Sequence, residues 1–352
     1  MQEILKNRLI KIITIMVLSL AMVSCSKDDT SINNFDETII VRHKNADMPA
    51  YIKGNTSEKV FLITLHGGPG DIGLSFSGEA FNQIENKYGV VYFDQRGSGN
   101  SQGHYSKSDV SIDLMAEDVL ALVKVMKHKF GNNSRFFLIG HSWGGTLGTA
   151  TLLKDQSDFK GWIGLDGAYS PARLYNQYID TYTNTANSQI ALGNSVDFWQ
   201  SVLKLVSQVD PLINFNDDRK LNMKAFKAEK TLYEDGFIDF DDEGTEDASK
   251  FFSYNLLTRF WNTNQIGTIL DNQGLFQTLD FTNQLPKITI PSLFISGKYD
   301  MIVPTASAEI AFEAIGSTSK ELLIFDRSGH APLFSEPKRF ATEVLLFMDK
   351  HK

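Results

Sequence analysis

The chain has 352 residues, a formal net charge of −8 and a single cysteine. Its hydrophobic content of 42% is too high for a disordered chain. The acidic balance argues against a nucleic-acid partner, because nucleic-acid phosphates require a basic surface, and one cysteine excludes both an internal disulfide framework and a cysteine-based zinc site.

The N-terminal segment has the features of an export signal. Basic residues precede a mostly apolar run over Ile12–Val23, which is shorter than the ~20 residues that a membrane-spanning helix needs. The run ends just before Cys25, and here the chain resembles bacterial lipoprotein precursors, which are cleaved before a lipid-modified cysteine. We therefore expect residues 1–24 to be removed and Cys25 to be lipidated; ordinary secretion with cleavage nearby is the alternative.

The polar residues after Cys25 predict a tether and a location. Residues 26–36 lack hydrophobic periodicity, so we interpret residues 25–36 as a flexible link between anchor and domain. The stretch Ser26–Asp29 resembles the export signal of surface lipoproteins in some Gram-negative bacteria. The predicted location is a lipid-anchored position on a bacterial cell-envelope membrane, and more narrowly the exposed surface of the outer membrane.

Short apolar runs alternate with helical patterns over residues 37–170 and again over residues 286–352. The predicted strands are Thr38–Val41, Val60–Leu65, Val90–Phe93, Phe136–Ile139, Trp162–Leu165, Ser292–Ser296 and Leu322–Phe325. The predicted helices are Ile112–Phe130, with Ser111 or Asp113 as its cap, a helix near Ala306–Ile315 and Pro337–Asp349. The alternation predicts an α/β fold with a mostly parallel central sheet and helices on both faces.

Residues 171–285 have a different character. They lack Val- and Ile-rich runs, and the amphipathic stretches Phe198–Val209 and Ala248–Phe260 predict helices. A strand-to-helix connection normally has roughly two to six residues, so this long segment is predicted to be an inserted helical cap lobe. The α/β core is accordingly divided into residues 37–170 and 286–352.

The strongest chemical signal is the G-x-S-x-G pentapeptide Gly140–Gly144. It follows the predicted strand Phe136–Ile139 and opens a predicted helix at about Trp143–Leu153, which is the strand–turn–helix context of a nucleophile elbow. The turn must be tight, and the glycines allow strand and helix to approach closely. Ser142 is therefore the predicted nucleophile, with a glycine-rich structural turn as the alternative.

A serine hydroxyl needs a neighbouring base, and the base needs an acid to orient it. His330 is the best base because it follows the predicted strand Leu322–Phe325 and reaches the same sheet edge. Asp300 follows the strand before it, so the order Ser142, Asp300, His330 is the order of α/β-hydrolases. Asp166 and Asp326 are rival acids.

A second glycine-rich loop, His66–Gly70, follows the predicted strand Val60–Leu65. Acyl transfer through a tetrahedral intermediate needs donors for the developing oxyanion, each worth roughly 3–4 kcal/mol. The backbone amide of Trp143 supplies one donor, and an amide of this loop supplies the other. A tight turn without a catalytic role is the alternative.

Three motifs together resemble the proline iminopeptidase family of α/β-hydrolases. They are His66–Gly70 (HGGPG), Asp94–Ser101 (DQRGSGNS) and Gly140–Gly145 (GHSWGG). The resemblance implies an α/β-hydrolase fold with a cap over the site, an oxyanion hole made by the amides of Gly68 and Trp143, and removal of an N-terminal residue, often proline, from short peptides. It also implies structural roles for Asp94 and Arg96.

The chain departs from this family in the cap. Family members place glutamates there, typically including a Trp-Glu pair, to bind the α-ammonium group of the substrate, and this sequence contains no Trp-Glu pair. An unpaired, dehydrated ammonium group would be costly. Glu229, Glu234, Glu243 and Glu246 are the candidate partners, and the sequence does not distinguish them.

The sequence thus predicts a serine hydrolase that forms an acyl-enzyme, with aminopeptidase activity on short peptides. An esterase or other acyl hydrolase on the same triad is the alternative, and a non-catalytic surface-anchored binding protein is the third reading. No metal or organic cofactor is expected, because this chemistry requires none and the chain contains no Walker loop and no His-Glu-x-x-His motif. The expected partners are a small peptide or ester substrate and, through Cys25, a membrane.

Overall fold

A central β-sheet organises the computed structural model, which describes residues 33–103, 109–208, 215–239 and 265–352. The strands of these ranges are β1 (Phe35–His43), β2 (Ala46–Gly54), β3 (Val60–Leu65), β4 (Gly89–Phe93), β5 (Gln102–Gly103), β6 (Arg135–His141), β7 (Phe159–Leu165), β8 (Ser292–Gly297) and β9 (Lys320–Phe325). Their order across the sheet is β1-β2-β4-β3-β6-β7-β8-β9, and β5 pairs with β2. Strands β4, β3, β6, β7, β8 and β9 run parallel, whereas β1, β2 and β5 pair antiparallel. The mostly parallel sheet confirms the predicted fold class.

Helices connect the strands and form the segment between β7 and β8. They are α1 (Glu79–Glu85), α2 (Ile112–Phe130), α3 (Trp143–Lys154), α4 (Leu174–Leu192), α5 (Val196–Val206), α6 (Phe215–Glu234), α7 (Leu275–Thr278), α8 (Thr305–Ala314), α9 (Pro332–Ser335) and α10 (Pro337–His351). A further helical stretch covers residues 265–272. Short 3₁₀ turns lie at Gly73–Phe76, Pro171–Arg173 and Leu285–Lys287. In the described ranges, none of the helices combines the length and apolar character needed to cross a membrane.

Two apolar layers cover the two faces of the sheet. Successive residues of β3 alternate between them, since Phe61 and Ile63 pack into one cluster while Val60 and Leu62 pack into the other. Helices α2, α3 and α8 cover the first face, and α1 and α10 cover the second. Every residue of β3 is buried, as expected for a parallel strand with helices on both sides.

The helix ends follow local chemistry that the sequence partly predicted. Helix α2 begins and ends where its apolar periodicity does, and the Ser111 hydroxyl accepts the N–H of Leu114 at 3.2 Å. Ser111, and not Asp113, is therefore the N-terminal cap. The last helix runs to His351, two residues beyond the predicted end.

Strand β2 was not predicted from the sequence, and β1 is longer than the predicted Thr38–Val41. The β2 segment contains Pro49. Proline lacks a backbone N–H donor and is therefore rare in interior strands. In the fold, Pro49 uses its carbonyl instead, which accepts the N–H of Asp94 at 2.9 Å. This contact joins β2 to the loop that follows β4.

In the described residues between β7 and β8, the regular secondary structure is helical, and turns and loops join the helices. The predicted helix Phe198–Val209 corresponds to α5, which begins at Val196 and ends at Val206, whereas Ala248–Phe260 lies outside the described residues. Helices α4, α5 and α6 share an apolar cluster around Tyr182 and Trp199. We refer to the described residues of 171–285 as the cap. The predicted limits of the cap and core stay predictions, and the predicted signal peptide, Cys25 and most of the tether lie outside the described residues. The last two residues of the predicted tether, Phe35 and Asp36, belong to β1 and pair with β2.

Candidate active site

Ser142 occupies a sharp turn between β6 and α3. Its backbone has φ +56° and ψ −117°, a strained conformation for a residue with a side chain. The turn is held from both sides, because the N–H of Ser142 donates to the carbonyl of Leu165 at 3.1 Å and its carbonyl accepts the N–H of Ala168 at 3.0 Å. The hydroxyl is consequently raised above the edge of the sheet, at the carboxyl ends of the parallel strands.

The glycines around Ser142 are required by close packing. A Cβ atom on Gly144 would lie 2.0 Å from the carbonyl oxygen of Leu65, and one on Gly140 would lie 2.2 Å from the carbonyl oxygen of Gly144. Helix α3 can therefore pack against the ends of β3 and β6 only if these positions lack side chains. This is the physical content of the G-x-S-x-G pattern.

Asp300 and His330 are brought together by the loops that follow β8 and β9. The Nδ1 atom of His330 lies 2.8 Å from Oδ2 of Asp300. The other oxygen of Asp300 accepts the N–H groups of Ile302 and Val303, each at 2.8 Å. The carboxyl side chain is fully buried, while the imidazole is 12% exposed. The hydrogen bond at Nδ1 leaves Nε2 of His330 available to a reacting group.

The two rival acids lie elsewhere in the site or outside it. Asp326 is exposed and pairs with Lys298 at 3.1 Å. Asp166 is buried beside Asp300, and its Oδ1 accepts the N–H of Gly297 at 2.9 Å. Burial raises the pKa of Asp166 well above its ordinary value, and the charge of Asp300 adds to this rise. The acid whose carboxylate contacts His330 is therefore Asp300, whereas Asp166 hydrogen-bonds the backbone of the loop after β8.

Ionisation in this cluster favours an imidazole that is free to accept a proton. Burial lowers the pKa of His330, and the charges of Asp166 and Glu229 oppose that shift. Burial raises the pKa of Asp300, while the amides of Ile302 and Val303 oppose that rise. The Ser142 hydroxyl and His330 line one cavity, but no hydrogen bond joins these two described residues. Such bonds commonly tighten only when substrate binds.

Two other histidines support the loops. The Nε2 atom of His141 donates to the carbonyl of His330 at 2.7 Å, and the two rings lie 4.6 Å apart. Burial, followed by the nearby His330, lowers the pKa of His141 to about 3, so this ring is neutral and fixes the base loop. His66 is buried and its Nδ1 lies 2.9 Å from the carbonyl of Gly67, which places it within the glycine-rich loop. Both histidines therefore support loops of the site.

Gln95 was missed by the sequence analysis. Its Oε1 accepts the indole N–H of Trp143 at 3.0 Å, and its Nε2 donates to the carbonyl of His66 at 2.9 Å. The side chain is almost completely buried. It therefore ties the loop that carries Gly68 to the helix that begins at Trp143. The only sequence signal was its place in the DQRG motif.

Asp94 and Arg96 flank Gln95 and hold the loop after β4. Asp94 accepts the N–H of Gly73 at 2.7 Å and of Asn100 at 2.8 Å. Arg96 forms a buried ion pair with Asp118 at 2.7 Å. Neither side chain lines the cavity next to Ser142. These contacts are the kind expected of the structural residues that the resemblance implied.

A cavity of about 580 Å³ opens above Ser142, a volume suited to a small molecule. Gly68, Trp143 and His330 line it together with Ser142. Trp143 is the first residue of α3, so its amide has no partner within the helix and lies at the positive end of the helix dipole. The cavity therefore combines the predicted nucleophile, base and two oxyanion donors, whose roles stay predictions.

The walls of the cavity are apolar with a few carboxylates. Apolar side chains from the cap and from the loops line it: Pro171, Leu174, Tyr178, Met223, Phe226, Phe276, Ile302 and Val303. Among the residues that the structure describes, the carboxylates that line it are Asp71, one residue beyond the HGGPG loop, and Asp271, at the end of the helical stretch 265–272. The sequence analysis named neither aspartate, because a single acidic residue in a loop carries no pattern.

The four candidate glutamates of the cap differ in where they lie relative to the cavity. Glu234 is exposed and lies 3.5 Å from Lys230 one turn away, and Glu243 and Glu246 lie outside the described residues. Glu229 reaches the site, but its two oxygens accept the backbone N–H groups of Met301 and His330. It does not belong to the lining of the cavity.

A set of potential metal ligands overlaps this site. One ligand atom each of His141, Asp166 and His330 lie within 4.8 Å of one another. His141 and His330 each use a ring nitrogen in the hydrogen bonds described above, and a carboxyl oxygen of Asp166 accepts the Gly297 amide. We therefore interpret these residues as parts of the serine site.

Comparisons with known proteins agree with this fold. Residues 60–337 match the α/β hydrolase fold family. A proline iminopeptidase of Saccharolobus solfataricus is 30% identical over 82% of this chain and 84% of its own length, and a proline iminopeptidase of Flavobacterium johnsoniae is 23% identical over 84% and 91%. Among solved structures, a proline iminopeptidase-related protein of Thermus thermophilus has a TM-score of 0.60 at 19% identity and covers 90% of this chain and 98% of its own. An esterase of Rhodococcus has a TM-score of 0.58 at 18% identity, with 90% and 99% covered.

Proposed function

The chain belongs to the α/β-hydrolase fold family, and on this premise we propose that it is a serine hydrolase with Ser142 as nucleophile, His330 as base and Asp300 as acid. The observation that carries the proposal is the 2.8 Å contact between Nδ1 of His330 and Oδ2 of Asp300. It lies beside the cavity that exposes Ser142 on its strained turn. An acid-oriented base that shares a cavity with a serine is the arrangement from which the serine hydroxyl can be activated when substrate binds.

The first half of the reaction forms an acyl-enzyme. The hydroxyl oxygen of Ser142 attacks the substrate carbonyl carbon, and Nε2 of His330 accepts the hydroxyl proton. Asp300 stabilises the resulting imidazolium through Nδ1. The amides of Gly68 and Trp143 donate to the oxyanion of the tetrahedral intermediate. His330 then returns the proton to the leaving group as the carbon–heteroatom bond breaks.

The second half of the reaction restores the enzyme. His330 removes a proton from water, which attacks the acyl carbon, and the same two amides again bind the oxyanion. Collapse of this intermediate breaks the ester bond, and His330 returns the proton to Ser142. The chain's own residues carry every proton transfer, and the apolar walls of the cavity limit the access of water to the acyl group.

We infer that the substrates are short peptides with a free N-terminal amine, from which the enzyme releases the first residue, proline among them. Two observations support this inference. The relatives from Saccharolobus solfataricus and Flavobacterium johnsoniae are named proline iminopeptidases. The carboxylates of Asp71 and Asp271 line the cavity, where they favour a cationic group over an anionic one. An apolar wall with two acids suits a small aliphatic residue that carries an ammonium group.

A matched set of substrates tests this proposal. Prolyl- and alanyl-naphthylamide should be hydrolysed, and N-acetylation of the same compounds should abolish turnover, since it removes the positive charge. p-Nitrophenyl acetate and butyrate serve as amine-free controls. Equal turnover of the acetylated and free amides, or turnover of the esters alone, would instead support the alternative, an esterase or other acyl hydrolase on the same triad.

We also propose that Cys25 carries a lipid anchor after removal of residues 1–24, with the residues from Cys25 to the start of β1 at Phe35 as the tether. The proposal rests on the short apolar run that ends before the only cysteine. Expression of the full chain in a Gram-negative host should give a protein that enters the detergent phase, whereas Cys25→Ala should stay aqueous or uncleaved. Protease accessibility on whole cells then tests surface exposure. A full chain that stays in the aqueous phase would exclude the anchor.

A further inference from the structure

One carboxylate of the cap contacts both loops that carry the proposed acid and base. Glu229, on α6, accepts the N–H of Met301 through Oε1 at 2.9 Å and the N–H of His330 through Oε2 at 3.2 Å. Met301 directly follows Asp300, and the second amide belongs to the base itself. A single side chain from the cap thus joins the loop after β8 to the loop after β9.

The packing around this carboxylate is close. A Cβ atom on Gly329 would lie 2.7 Å from Oε2 of Glu229 and 3.1 Å from Cδ1 of Ile238. Glycine at position 329 therefore gives the carboxylate the space to reach the His330 amide. Two charge-assisted bonds to backbone amides hold the loops more firmly than neutral contacts would.

The cap holds the acid loop from a second side. The hydroxyl of Tyr182 donates to the carbonyl of Met301 at 2.9 Å, and the hydroxyl of Tyr178 donates to the carbonyl of Ile302 at 2.6 Å. The tyrosines of α4 therefore bind the carbonyls of Met301 and Ile302, and Glu229 of α6 binds the N–H of Met301. Two cap helices fix the backbone immediately after Asp300.

The charge of Glu229 also acts on the site. Burial raises the pKa of Glu229 to about 7, with a further rise from the charge of Asp300. In turn, the ionised carboxylate raises the pKa of His330. The other titratable groups that face His330 in the described structure are Asp300, Asp166 and His141.

We propose that Glu229 is a positioning residue that holds the Asp300 and His330 loops in the spacing that proton transfer requires. The inference rests on the proposed triad. Glu229 acts through the two loops, because both of its oxygens bind backbone amides and its side chain is outside the cavity lining. The cap is consequently part of the structure that aligns the base, in addition to covering the substrate. This role differs from binding of the substrate ammonium group, which the sequence analysis had considered for Glu229.

Glu229→Gln tests the proposal, because it replaces only one carboxylate oxygen, by an NH₂ group. Glutamine keeps the size of the side chain but offers a single acceptor, so one of the two amides loses its partner. Because small displacements of reacting groups have large effects on rate, kcat should fall on the order of 10- to 100-fold, with little change in KM. The fall should be the same for alanyl-naphthylamide and for p-nitrophenyl acetate. Glu234→Gln, on the exposed face of the same helix, is the matched control and should leave kcat unchanged.

A pH profile separates positioning from a general loss of structure. Without the negative charge of Glu229 the pKa of His330 falls, so the acidic limb of kcat/KM should move to lower pH. Tyr182→Phe, which loosens the other side of the acid loop without a change in charge, should lower kcat without moving that limb. It also provides the test if Glu229→Gln does not fold.

Several results would overturn the proposal. An effect of Glu229→Gln confined to KM for substrates with a free amine would make Glu229 an ammonium-binding residue. Wild-type kcat in both Glu229→Gln and Tyr182→Phe would show that the cap contacts are irrelevant to catalysis. Failure of the proposed triad can be distinguished from failure of this proposal. Covalent labelling of Ser142 in the wild-type chain tests the triad, and that measurement does not depend on either variant.

Discussion

Nδ1 of His330 lies 2.8 Å from Oδ2 of Asp300, and that carboxyl side chain is fully buried. A buried acid in this position selects the ring tautomer whose Nε2 can accept a proton. The pair therefore determines both the orientation and the protonation of the base, and it makes Asp300 the residue whose charge is most directly testable.

Asp300→Asn should lower kcat on the order of 10³- to 10⁴-fold with little effect on KM, because asparagine keeps the shape but stabilises the wrong tautomer and no imidazolium. Steady-state kinetics with alanyl-naphthylamide measure the effect. Asp326→Asn is the control, since Asp326 is exposed and pairs with Lys298, and should behave as wild type. An Asp300→Asn variant with wild-type activity would contradict the assignment of Asp300 and would favour Asp166 as the acid.

Asp166→Asn should keep most of the activity and change the pH dependence of stability. Burial raises the pKa of Asp166 well above its ordinary value of 3.8. Stability from a group whose pKa is raised on folding is full below the unfolded pKa and is lost as the pH rises towards the folded pKa. Removal of the ionisable group should therefore make the decrease of Tm with rising pH, which begins above the ordinary pKa of 3.8, shallower than in wild type. Parallel curves of Tm against pH for the two proteins would contradict a raised pKa for Asp166.

Gln95→Ala should lower kcat by roughly tenfold, because it separates the Gly68 loop from the helix that begins at Trp143 and so disturbs two donors that must act together. The amide contacts at 3.0 and 2.9 Å are the ones removed. Kinetics on both amide and ester substrates measure the effect. Gln156→Ala is the matched control: Gln156 bridges backbone groups with a 2.8 Å bond to the carbonyl of Lys287, outside the cavity lining, so a comparable loss of activity there would point to general destabilisation instead.

The acids that line the cavity should separate amine recognition from chemistry. Asp71→Asn and Asp271→Asn should each raise KM for alanyl-naphthylamide and leave p-nitrophenyl acetate unaffected, since only the former carries an ammonium group. Loss of one contact between a cavity carboxylate and the substrate ammonium group corresponds to about 1–2 kcal/mol of binding free energy, or roughly a 5- to 30-fold change in KM. If neither variant changes the ratio between the two substrates, the amine partner lies elsewhere in the chain.

Most of the sheet could be predicted because its strands are continuous apolar runs, and helix α2 could be predicted because its apolar residues recur with helical periodicity. Runs such as Val60–Leu65 are buried on both faces, so no competing interaction changes their boundaries. Strand β2 escaped prediction because Pro49 and neighbouring polar residues interrupt its pattern, and its place in the sheet is fixed by pairing with β1 and β4. That pairing is tertiary information.

Some residues of the candidate site could be predicted from the sequence and others could not. Ser142, Asp300 and His330 could be selected because each follows a predictable strand, and the ends of parallel strands meet at one sheet edge. Gln95 and Glu229 could not be assigned their contacts, because their partners, which are backbone groups and the indole of Trp143, are distant in the sequence. No local pattern encodes such contacts.

Covalent labelling by a fluorophosphonate probe tests the central claim most directly, because the probe reacts with a serine only when a neighbouring base activates it. The wild-type chain and Ser157→Ala, which alters an exposed serine, should be labelled, and peptide mapping should place the adduct on Ser142. Ser142→Ala should remain unlabelled and inactive. Labelling of the folded Ser142→Ala variant at the wild-type rate would contradict the assignment of Ser142 as the nucleophile.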